Sequence, residues 1–119
     1  MAPALRGLIV VLALAGCERL PDREPLTGGD PKHGRSLARE FGCGSCHRIS
    51  GVPGANANVA PPLEKLRSRV YLAGRFANTP QNLVEWIRDP RGMDPQTAMP
   101  AVGVDERQAR DIAAYLYTR

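Results

Sequence analysis

Cys43-Gly44-Ser45-Cys46-His47 sets the terms for the rest of this chain. Two cysteines are separated by two residues, and a histidine comes directly after the second. A zinc cage wants four ligands, and the sequence holds no second cysteine pair. A thioredoxin-like redox motif wants a βαβ setting, and none is visible around it. A plain disulfide leaves His47 without a role. A covalent haem uses all three residues. The two thiols can reach the two vinyl groups along one side of the macrocycle. The imidazole next in the chain is placed under the ring, where a neutral nitrogen can bind iron. One covalently attached haem is therefore the expected cofactor.

Working outward, Asp30-Pro31 opens a helix, with Asp as the cap and Pro in the first turn. That helix runs to about Phe41, with Gly34, Leu37, Ala38 and Phe41 on one face, and Gly42 stops it. Residues 50–62 (SGVPGANANVAPP) have no periodicity. So long a structureless stretch suits a chain that wraps something. Leu63 to Leu72 reads as a short helix. Thr79-Pro80 starts another, to about Arg88, with Leu83, Trp86 and Ile87 on one side. Residues 89–104 form a proline-rich loop. Asp105 caps a last helix, to about Tyr117, with a buried stripe of Ala109, Ile112, Ala113 and Leu116 and with Tyr115 beside it. Asp105, Glu106, Arg107, Arg110 and Asp111 read as its solvated face. His33 reads as a solvent-facing surface histidine. The pattern shows neither β-alternation nor a repeat, so the fold class is all-α, with three to five short helices and long loops around one haem.

Composition agrees with this reading. A chain of 119 residues allows one domain. Hydrophobic residues are 43% but aromatics only 5%, which makes a thin core that a large apolar plate would fill. Twelve Gly and eleven Pro imply many turns and argue against a doubly wound sheet or a long coiled coil. The formal charge of +4 is mild, and no basic cluster of the nucleic-acid-binding kind is present.

The N-terminus carries Arg6 and then the apolar run GLIVVLALA over residues 7–15. About nine residues are too few to span a bilayer but suit a signal-peptide core. The run ends in Leu14-Ala15-Gly16-Cys17, which resembles a bacterial lipoprotein signal. The resemblance implies cleavage after residue 16 and a diacylglycerol on the Cys17 thiol. The other reading is a short buried helix with an incidental cysteine. Residues 1–16 are thus expected to be a signal peptide, 17–29 a lipidated cysteine and flexible tether, and 30–119 the folded domain. On flexible-chain arithmetic a tether of about 12 residues spans roughly 20 Å. The expected location is the periplasmic side of a bacterial membrane, held there by the lipid.

From Asp30 to Arg119 the chain resembles the class I c-type cytochromes. Pro61-Pro62-Leu63 looks like that family's Pro-x-Leu after the haem motif. The resemblance implies that the Pro61 carbonyl accepts from the other nitrogen of His47, fixing its tautomer. Trp86-Ile87-Arg88-Asp89-Pro90, then Pro95-Gln96-Thr97-Ala98-Met99-Pro100, resembles the family's methionine loop. By that resemblance Met99 is the second axial ligand, Thr97 lies near a haem propionate, and Trp86 lies on the methionine side. Met93, in the same loop, is the competing sulfur. Gly34 and Tyr115 would mark where the first and last helices cross. Arg75 and Asn78, with Arg69 and Tyr71, fall where family members often place propionate donors; solvated surface charge is the other reading of the two arginines. The chain departs from the family in having only Lys32 and Lys65, so a lysine-ringed docking face is not evident.

The expectation is one-electron transfer by a six-coordinate His/Met haem, exchanging electrons with membrane redox complexes or soluble redox proteins. Two alternatives stand beside it. One is a haem sensor or small haem enzyme with a labile distal ligand. The other is a fixed electron-transfer subunit of a larger oxidase or reductase.

Overall fold

The computed structural model describes residues 19–119, and among these described residues it holds four helices, two single 3-10 turns and one tiny hairpin. The signal segment and Cys17 lie outside the described residues.

Helix α1 (Pro31–Glu40) starts where its cap dictates: the Asp30 carboxylate accepts from the backbone N–H groups of Lys32 and His33. Gly42, at φ 74°, takes the left-handed conformation that ends it. Helix α2 (Pro80–Arg88) is capped by the Thr79 hydroxyl. Helix α4 (Glu106–Tyr117) begins with a reciprocal capping box between Asp105 and Gln108. The 89–104 loop contains one further turn of helix, α3 (Pro90–Met93), because Pro90 sits in the first turn and Asp89 caps Gly92.

α4 is the spine. α1 packs along it most extensively and α2 packs on another side. Ala109, Ile112, Ala113, Tyr115 and Leu116 are buried as the periodicity implies. The crossing with α1 is close because of Gly34: a Cβ there would fall inside the backbone carbonyl of Asp111. Tyr115 lies one turn further along, and its hydroxyl donates to the Ser50 carbonyl at 2.5 Å. It thereby fastens the start of the 50–62 loop to the helix pair.

Four expectations change. The helix over 63–72 reduces to a 3-10 turn at Leu66–Ser68, because Lys65 is in the left-handed region (φ 56°) and breaks the run. Beyond that turn the chain forms a hairpin of β1 (Tyr71–Leu72) and β2 (Phe76–Ala77), paired antiparallel with Leu72 opposite Phe76. Ala73 and Gly74, at φ 50° and 68°, make its turn. Two residues per strand are too few for alternation to register in sequence.

Asp111 is not solvated. It is 5% exposed, and its carboxylate accepts from the Asp30 N–H at 2.8 Å and pairs with His33 Nδ1 at 2.8 Å. His33 is therefore half-exposed and partnered rather than merely facing water.

The expected flexible tether is docked over its second half. Glu24, 1% exposed, accepts from the Thr27 N–H and hydroxyl at 2.7 and 2.8 Å and from the Leu26 N–H at 3.1 Å. Gly28 N–H donates to the Glu24 carbonyl, and Glu24 N–H to the Gly29 carbonyl. Arg110 then reaches from α4 to the Thr27 carbonyl at 3.2 Å. Pro25, Gly28 and Gly29 are turn formers in a closed strap, and Gly29 backs onto the Arg110 backbone with no room for a Cβ.

Candidate functional site

Cys43 to Ser45 form one 3-10 turn directly after the α1 stop. The turn folds back on itself: Cys46 and His47 both donate backbone N–H groups to the Cys43 carbonyl. Gly44 lies so close to Ala55 that a side chain there would collide with it. The motif is thus pressed onto the 50–62 loop, whose Ala60 N–H donates to the Cys46 carbonyl at 2.9 Å.

Cys43 and Cys46 are both half-buried and not disulfide-bonded. Burial pushes the Cys43 thiol above its ordinary value. A reactive redox cysteine needs the opposite shift, so Cys43 does not suit a nucleophilic role in thiol-disulfide exchange. His47 is half-buried, and its Nδ1 lies 2.6 Å from the Pro61 carbonyl oxygen. A carbonyl can only accept, so Nδ1 carries the proton. In the neutral ring this tautomer leaves Nε2 bare, the state a metal ligand needs.

Met99 is half-buried in the loop between α3 and α4. Its N–H donates to the Thr97 hydroxyl at 3.2 Å, while Thr97 N–H donates to the Asp94 carbonyl at 3.1 Å. A hydroxyl that accepts from Met99 still has its own proton to donate. That fits Thr97 for a carboxylate such as a propionate. Met93 is the last residue of α3. Trp86 is half-buried on α2 and meets Phe76 of the hairpin with ring centroids 5.8 Å apart.

Arg75 pairs with Asp94 of the methionine loop at 3.1 Å. Asn78 is a correction. Its Nδ2 donates to the Leu66 and Arg69 carbonyls, each at 2.8 Å, and its Oδ1 accepts from the Tyr117 hydroxyl at 2.7 Å. Both amide protons are spent on backbone, so Asn78 is a fastener of the hairpin and not a propionate donor. Arg69 is similarly committed to the Pro62 and Glu64 carbonyls. No sequence signal separates such fasteners from donors, since Arg and Asn suit either task.

Does this arrangement fit a haem? Phe41, Cys43, Leu63, Phe76 and Val102 pack against the core yet stay half-exposed. Val59, Val70 and Tyr71 are more exposed still. A free thiol pair, an imidazole whose Nε2 is bare in the neutral ring and apolar side chains left partly uncovered suit a flat apolar macrocycle. Residues 31–119 match the family model for cytochrome c. The chain belongs to the cytochrome c family. This cytochrome therefore binds haem c covalently. It is 32% identical over 84 residues to a cytochrome c oxidase subunit 2 of Alkalihalophilus pseudofirmus. That match covers 70% of this chain and 24% of the relative, so the cytochrome spans about a quarter of the protein it resembles. No solved structure was found to match it. Among the described residues no helix is long and apolar enough to cross a membrane.

Proposed function

We propose that the protein is a membrane-tethered, periplasmic-side one-electron carrier with His47 and Met99 as axial ligands. The observation that carries the reading is the His47–Pro61 hydrogen bond beside two unpaired cysteines. Bound haem c supplies a reversible one-electron couple. Cys43 and Cys46 hold it through thioether bonds. His47 presents Nε2, kept in the correct tautomer by Pro61. Met99 offers a soft thioether sulfur, which favours the reduced state and raises the potential relative to two imidazoles. Pro95 and Pro100 stiffen the backbone that carries it. With His47 and Met99 both holding the metal, substrate would have no open position on it, which is the state of a carrier rather than a sensor or enzyme.

The tether reading rests on the lipoprotein-like sequence ending in Cys17. Partner choice draws on the relative: an oxidase subunit as a match favours a terminal oxidase as the electron acceptor. It also favours a second reading, a fixed subunit of such a complex.

Two experiments test these points. A Met99–iron bond gives the ferric protein the weak far-red band of sulfur ligation, and the reduced protein binds carbon monoxide only slowly. Fast binding without the band would move the protein to the sensor or enzyme class. Cys17→Ser should free the protein from membranes with its haem in place. Purification from detergent then separates the two partner readings, since a fixed subunit comes out in stoichiometric complex and a carrier comes out alone.

A further inference from the structure

The docked strap determines where the chain leaves the domain. Leu20 lies along the outer face of α1, where it lines one shallow concavity with Lys32, Arg35, Ser36, Arg39 and Pro53. The four α1 residues stand at i, i+3, i+4 and i+7 and so share one face. The opposite side of the helix, with Gly34, Leu37 and Ala38, is buried against the core.

The charges on this face are poorly compensated. Asp22 pairs with Lys32 at 2.7 Å. Arg35 donates to the Gly51 carbonyl, which leaves its charge in place. Among the described residues neither Arg35 nor Arg39 has an ion-pair partner. Arg19 is close enough to act on Lys32 electrostatically. Glu40 stands at the flank.

We propose that this face of α1 is a docking surface for anionic lipid headgroups, laying the domain on the bilayer in one orientation. The proposal rests on the lipid-anchor reading for its setting. Two residues, Glu18 and Arg19, separate Cys17 from Leu20, three steps along the chain and a reach of roughly 10 Å at full extension. An acylated Cys17 therefore brings the bilayer surface to this face before any other. Arg19, Arg35 and Arg39 then meet headgroups of opposite charge. Because Glu24, Thr27 and Arg110 clamp the strap, the domain cannot swing away on a long linker. The usable linker is a few residues and not about 12.

The test uses a soluble, haem-loaded form beginning at Glu18, which keeps every described residue. It is mixed at low salt with vesicles of equal parts phosphatidylglycerol and phosphatidylcholine, and with pure phosphatidylcholine. Binding is expected to the first only, and to vanish in about 1 M salt, where the screening length falls to roughly 3 Å. A basic side chain at an anionic surface contributes about fivefold, so R35Q/R39Q should bind about 25-fold more weakly. R39E should do at least as much and breaks no side-chain hydrogen bond. R67Q/R91Q removes equal charge elsewhere and should stay within about twofold. An unchanged haem spectrum certifies the fold of each variant.

Equal binding by R39E and the parent overturns the proposal, as does a parent that ignores anionic vesicles. So does a variant that binds vesicles normally but loses electron transfer to an acidic redox protein, which would make the face a protein-docking site. The anchor reading fails separately: the full-length chain would then wash from membranes in high salt, with the vesicle result untouched.

Discussion

The histidine and methionine sides of this cytochrome are built in opposite ways. His47 stands next to its two cysteines within one short turn, and its ring is clamped to Pro61, a contact spanning 14 residues that joins the motif to the far end of the wrapping loop. Met99 sits in a loop whose bonds are local: Gln96 N–H to the Asp94 carboxylate, Thr97 N–H to the Asp94 carbonyl, Met99 N–H to the Thr97 hydroxyl. On the proposed ligation, His47 is oriented by a long-range protein bond before any metal arrives. Met99 is presented by stiff backbone, with Pro95 and Pro100 on either side. The first should therefore tolerate no change of residue, while the second should be adjustable.

The largest effect is expected at His47. His47→Ala removes the proposed ligand and also leaves the Pro61 carbonyl without its donor. Cells able to attach haem should yield little or no stable coloured protein, read as absorbance per unit protein. A normal yield of six-coordinate haem would mean that the two sides are more alike than their bonds suggest.

Met99→Ala comes next. The haem should stay attached, since both thioethers and His47 remain. The midpoint potential should drop on the order of 0.1–0.2 V, part of the roughly 0.8 V that axial ligands span. The far-red band should disappear, and carbon monoxide should bind quickly. If Met93→Ala does this and Met99→Ala does not, the sulfur belongs to α3 and the comparison must be redrawn.

The asymmetry also explains what the sequence disclosed. The Cys43 to His47 turn is contiguous, so spacing alone placed three functional residues. Helices α1, α2 and α4 were legible to within a residue or so because Asp30, Thr79 and Asp105 are side-chain caps leading into clear stripes. Long-range polar partnerships were not legible. Asp111 lies among charged neighbours on α4, yet it is buried because Gly34 lets α1 approach and so brings Asp30 N–H and His33 over it. Glu24 stands among residues of turn-forming and tether-like composition, and only its fold-back onto Thr27 shows that they are structural. Asn78 and Arg75 were read together as propionate donors, and only their partners separate them.

Asn78 offers an intermediate test. It ties the hairpin both to the 66–69 turn and, through Tyr117, to α4. Asn78→Ala leaves two backbone carbonyls and a tyrosine hydroxyl without their partner. The cost should be about 2 kcal/mol in denaturant unfolding. Because Asn78 has no free donor for the haem, the midpoint potential should hardly move. A large shift in potential with little loss of stability would return Asn78 to the propionates.

Arg75 should show the smallest effect, and it separates two roles. Its guanidinium is 61% exposed and pairs with Asp94, 15% exposed, which itself organises the turn before Met99. An exposed ion pair of this kind contributes at most about 1 kcal/mol. Arg75→Gln should therefore lower stability by no more than that and leave the far-red band in place. Asp94→Asn, which removes the same ion pair from the other end, should match it in stability. The potential is where the two variants can part. If Arg75 serves only Asp94, the two variants remove opposite charges at one place, so they move the potential slightly and in opposite directions. If Arg75 also spends one of its remaining donors on a propionate, Arg75→Gln lowers the potential by clearly more than Asp94→Asn raises it, because it also takes a charged donor from the propionate. Five N–H donors in one planar fork allow both roles at once, and the difference between the variants measures the second.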